Sequence, residues 1–153
     1  MGDPMILPLA LHILSAVVWV GGMFFAYLVL RPSAGPLDRE ARLALWQRVL
    51  ARFLPQVLVA ILILLATGYD MIVRLGGFAA IGLYIDLMQG IGILMMLIFL
   101  HLVFAPWKRF RRAMAAGDAA TAAAQLEQIR ILVAVNLVLG LITVVIAATG
   151  RYW

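Results

Sequence analysis

Apolar positions along this chain gather into four long runs, 5–30, 53–73, 82–104 and 131–149. Each is long enough, at about 1.5 Å per residue, to cross about 30 Å of hydrocarbon as a helix. The pattern predicts an all-α fold: an integral membrane four-helix bundle with four transmembrane spans, in a single domain over 1–153. No basic stretch precedes the first run and no cleavage pattern follows it, so it reads as a retained span rather than a signal peptide.

Within each run the small and polar positions recur at helical spacing. His12, Ser15, Trp19, Gly22 and Ala26 follow at steps of three and four and share one face. The second run carries Gln56, Ala60, Ile63, Thr67, Asp70 and Arg74. The third carries Asp86, Gly90, Ile93, Leu97 and His101, and the fourth Asn136, Gly140, Thr143, Ala147 and Gly150. Small residues let membrane helices approach closely and polar ones bond between them, so these stripes are expected to face the bundle interior.

The links are basic. Loops 31–52 and 105–130 hold Arg31, Arg39, Arg42, Arg48, Arg52, Lys108, Arg109, Arg111, Arg112 and Arg130, against Arg74 and Arg151 on the other side. That asymmetry puts both loops in the cytoplasm and both termini on the outer, periplasmic side of a bacterial-type inner membrane. Pro32, Gly35 and Pro36 read as a helix break and Asp38 as a new N-cap. After it, Leu43, Trp46, Val49, Leu50 and Phe53 alternate with arginines. That pattern suits a helix lying among the headgroups with Trp46 at the interface, and it suits a solvated extension of the second span equally well. Gly117 and Asp118 read as a stop and a cap before an alanine-rich helical approach to the fourth span.

Composition narrows the function. Hydrophobic residues make up 66% of the 153 and mean hydropathy is +1.09, which excludes an ordinary soluble domain. There is no cysteine, so disulfides, thiolate catalysis and iron–sulfur clusters are excluded. A net charge of +5 reads as basic loops at an anionic leaflet, not as a nucleic-acid surface. The partner expected first is the lipid bilayer. Surface glycines and alanines suit a homodimer, and a periplasmic copper protein is the partner expected if copper is handled.

The intramembrane histidines are the site candidates, since an ionisable group there is costly and needs a partner. Counting residues from the outer face puts His12, Tyr69, Asp70, Asp86 and Met88 in one layer. His12, Asp86, Asp70 and Met88 are the metal candidates, because imidazole, carboxylate and thioether together suit copper, the thioether favouring Cu(I). His101 lies near the other end of the third span, on the order of 15–20 Å from His12 along the axis. Any haem b would therefore take one of the two histidines, with Trp19 bordering the ring. Helix-to-helix hydrogen bonding explains both histidines without a cofactor, and an Asp70–Arg74 pair explains Asp70.

The run His12-x6-Trp19-x-Gly21-Gly22-x-Phe24, closing in Leu30-Arg31-Pro32, resembles the first helix of the copper resistance protein D (CopD) family. The arginine-rich link and the Ala66-Thr67-Gly68-Tyr69 ending of the second span are also similar to it. The resemblance implies copper binding, relay or transport through a site centred on His12. A more distant likeness is to the HemJ type of membrane protoporphyrinogen oxidase, which implies haem. His101 and the basic Lys108–Arg112 stretch match that pattern, whereas Arg130 is followed by Ile131-Leu132-Val133-Ala134 in place of an Asn-Glu pair.

Overall fold

The computed structural model describes residues 3–152, and long helices dominate it. Helix α1 spans Ile6–Ser33, α2 Arg39–Arg74, α3 Leu83–Ala115 and α4 Ala119–Thr149, followed by a short 3-10 turn at Gly150–Tyr152. No strand occurs among the described residues. All four helices are long and apolar enough to cross a membrane.

Neighbouring helices run antiparallel. His12 meets Thr67 while Gly22 meets Phe53, so α1 and α2 pair in opposite directions. Met95 meets Asn136 and Gly140 while Tyr84 meets Gly150, which does the same for α3 and α4. The ends near Ile6 and Thr149 therefore lie together, and the two basic turns lie together at the opposite end. Helix α4 is the hub, packing on α3 along its length and also touching α1 and α2.

The basic segments are helix, not loop. Helix α2 runs 36 residues, about 54 Å, straight through Arg52–Phe53, so the basic amphipathic stretch extends the second span, one of the two arrangements its pattern suited. Its buried positions Leu43, Leu50, Leu54, Val57 and Ala60 form one continuous stripe across that junction. Pro55, just past the junction, lies within the helix, and the helix continues through it. Helix α3 likewise continues to Ala115. In the two basic links only residues 34–38 and 116–118 are left as turns.

Both expected caps form. The Asp38 carboxylate accepts from the Ala41 amide at 2.8 Å, and Asp118 accepts from the Thr121 amide at 2.9 Å. Gly117, at φ +70°, closes α3, and the Asp118 amide donates to the Ala113 carbonyl at 2.9 Å. At this end, with the basic turns, Leu43, Leu50, Trp107, Phe110, Ala113, Ala122 and Ile129 make an apolar core. Arg39 donates to the Ala119 carbonyl across its rim.

Inside the spans, π-helical stretches set which residues face inward. In an α-helix four residues advance about 40° past a full turn, so positions four apart drift off a face. Yet Ser15, Trp19 and Met23 are all buried at steps of four. The wider i→i+5 winding of Val17–Gly21 takes up that drift. Another π stretch, Val103–Trp107, accommodates Pro106 within α3.

The stripe expected to line the interior from the third span faces outward instead. Asp86, Gly90, Ile93, Leu97 and His101 are all exposed, and α3 buries Met95, Phe99 and Leu102. Lipid accepts an apolar surface as readily as a neighbouring helix does, so shape decided the facing. Ala147 and Gln56 are exposed as well.

Gly140 sits where α1 and α3 both press on α4, and a Cβ there would lie 2.9 Å from Val20 and 3.2 Å from Met95. Gly140→Leu is expected to cost about 1–3 kcal/mol and lower the thermal midpoint in detergent. Gly21→Ala, which meets nothing within 4 Å, should leave it unchanged. Equal midpoints for the two variants would contradict this packing.

Hydrogen bonds from Thr121, the side chain first and the backbone amide second, hold the Asp118 carboxyl below its ordinary range, with Arg39 adding a smaller pull. A depressed acid stabilises the fold above its unfolded-state pKa of about 4, and that contribution is lost as pH falls through the lowered value. Asp118→Asn should flatten the pH dependence of stability in that acid range, read by circular dichroism. A variant with the wild-type acid profile would contradict it.

Candidate functional site

The strongest site residue lies on α1 about two turns from its start at Ile6. The His12 Nδ1 stands 2.9 Å from the Thr67 hydroxyl of α2. That hydroxyl stands 2.6 Å from the Ile63 carbonyl one turn back on its own helix. A hydroxyl has a single proton to give. With that proton on the Ile63 carbonyl, Thr67 accepts from His12, and Nδ1 carries the imidazole hydrogen. The other nitrogen, Nε2, then keeps its lone pair, and the Leu64 carbonyl is a further backbone partner of the ring.

Glycine makes this seat possible. A Cβ on Gly68 would stand 3.2 Å from the imidazole Cε1, so the ring lies directly against the α2 backbone. Thr67 is buried and His12 half-buried. Thr67 and Gly68 thus fix both the orientation and the tautomer of a side chain on another helix. Such an arrangement presents one nitrogen as a metal ligand or proton acceptor while the other is tied down.

The rest of the outer layer forms pairs rather than a cage. Asp70 accepts from Arg74 Nε at 2.7 Å, one turn away on α2. Tyr69 accepts from Gln89 of α3 at 3.0 Å, joining those helices at this end. Asp86 is exposed and Met88 half-buried, both on α3. The first half of α1 packs on α2, whereas α3 packs on α4, so equal depth did not bring Asp86 or Met88 to His12. Among the described residues no three His, Asp or Glu side chains are grouped to hold a metal ion.

The residues expected around a haem are also dispersed. Trp19 is 3% exposed and packs edge-on against Phe99, ring centroids 6.2 Å apart, which puts its surface in the bundle core. His101 points outward from α3. At mid-bundle the Asn136 amide donates to the Met95 carbonyl at 3.1 Å, while its Oδ1 is buried without a donor among the described residues.

Compared with protein-family models, with curated proteins and with solved structures, the chain matches none.

Thr67 was expected as packing and, with Gly68, as part of the family-like Ala66-Thr67-Gly68-Tyr69 ending, but neither as a partner of His12. A signal was present. Counting antiparallel from the basic links places Thr67 and Gly68 at the depth of His12, and a small residue beside a hydroxyl is what a ring on the next helix needs.

Thr67→Val is expected to leave the His12 N–H without its acceptor and to lower the thermal midpoint. A double-mutant cycle with His12→Leu should show a coupling of about 0.5–2 kcal/mol, the range of hydrogen bonds between membrane helices. Strictly additive effects would remove the bond from the account.

Proposed function

We propose that this chain is a CopD-like protein of a bacterial-type inner membrane that relays copper, with Nε2 of His12 as its ligand. The observation that carries the reading is the imidazole fixed through Nδ1 by Thr67 with Nε2 left open. Ligating histidines characteristically donate their other ring N–H to an oxygen, which fixes the tautomer and raises ligand basicity. The likeness of His12-x6-Trp19-x-Gly21-Gly22 to the CopD first helix supports copper as the metal, and imidazole is a suitable donor for it.

Only one ligand is preorganised. Asp70 is engaged by Arg74, and Asp86 and Met88 belong to the α3–α4 side, so none of them enters the proposed ligand set. A single fixed imidazole does not make a storage cage, and it suits an ion that is passed on. The positive-inside asymmetry supports an orientation with the basic turns in the cytoplasm and both termini outside, which puts His12 within reach of the periplasmic face.

The test is copper titration of the detergent-purified full chain under reducing conditions, with metal analysis and a visible spectrum of the same sample. One weakly held copper per chain is expected, lost in His12→Ala and retained in Asp86→Ala. Unchanged copper in His12→Ala would overturn the reading. A strong visible band that sharpens on reduction would replace copper with haem.

A further inference from the structure

Helices α2 and α3 are splayed over the half of the bundle that carries the basic turns, leaving a groove of about 560 Å³ between them. Its two ends differ in chemistry. Gln47 and Arg111 stand at one end, and Leu54, Leu58, Phe99 and Leu100 line the other. From Gln47 to Leu58 is eleven residues of helix, about 16 Å, or half the thickness of a hydrocarbon core. The groove therefore has the length of one leaflet, with a polar head at the basic-turn end.

The head end has unused hydrogen-bonding capacity. The Arg111 guanidinium lies 5.9 Å over the Trp107 ring, and it has no hydrogen bond or ion pair among the described residues. Trp107 is itself clamped against Phe110, ring centroids 5.7 Å apart, so the cation rests on a rigid platform. A fork of donors with an apolar trough leading away suits a phosphate on an acyl chain.

We infer that the α2–α3 groove seats one anionic phospholipid from the leaflet on the basic-turn side, its phosphate on Arg111 and an acyl chain between Leu58 and Phe99. Charge complementarity selects this occupant. The only charged side chain lining the groove is a cation, and it lies at the end where a headgroup would be. The seat is separate from His12, which is near the opposite end of the bundle.

The experiment is native mass spectrometry of the full chain released from micelles holding equal phosphatidylglycerol and phosphatidylcholine. One retained phosphatidylglycerol is expected, preferred over phosphatidylcholine by roughly fivefold, the increment one cation gives at an anionic surface. Arg111→Gln, at an exposed position, should abolish the preference without changing helical content. Leu58→Trp, at a position 45% exposed, should fill the trough and reduce retention of both lipids. Equal retention of the two lipids by the wild type, or an Arg111→Gln variant that keeps the preference, would overturn the assignment. So would displacement of the lipid by millimolar inorganic phosphate, or a dimer that Leu58→Trp dissociates.

Discussion

Lipid chains dissolve leucine as well as a protein interior does, so four apolar helices in a bilayer gain little from burial alone. Their association has to come from close approach and from polar groups that find each other. This chain meets that constraint at a few points. Gly140 lets α1 and α3 converge on α4, where Asn136 donates to the Met95 carbonyl. Gly22 lies under the Phe53 ring, and Gly68 lies under the His12 ring. The remaining spanning surface is left to lipid, including large side chains such as Phe104 and Val145.

The end that carries the basic turns is packed differently. There the chain builds an apolar core around Phe110, Ala122 and Leu43. Arginines and Lys108 cover its outside. That core ties α2 and α3 to α4 at their basic ends, while α2 and α3 themselves stand apart around the groove that Leu50 and Trp107 also line.

Whatever depended on water was legible in the sequence. The four spans, the caps at Asp38 and Asp118, and the inward face of α1 through Ser15, Trp19 and Gly22 all follow from polarity and local bonding. What depended on shape within lipid was not. The Asp86–His101 stripe looked like an interior face and points outward, because Met95, Phe99 and Leu102 fit α4 better and lipid tolerates either choice. The π turns around Trp19 leave no compositional mark. The outer layer was drawn from depth alone, and depth says nothing about which helices are neighbours. Asp70 is found with Arg74, the pair the sequence offered as the alternative to a metal role, and His12 with Thr67, rather than with each other. The groove went unseen because its formation depends on two helices failing to pack.

The functional reading rests on one proton: Thr67 holds the imidazole hydrogen on Nδ1 and leaves Nε2 open. Nitrogen-15 NMR of the imidazole in the full chain, in detergent at neutral pH, tests that directly. The account predicts a neutral His12 ring with the hydrogen on Nδ1 and an Nε2 signal that shifts on addition of Cu(I). A ring protonated on Nε2, or an Nε2 signal indifferent to copper, would contradict it.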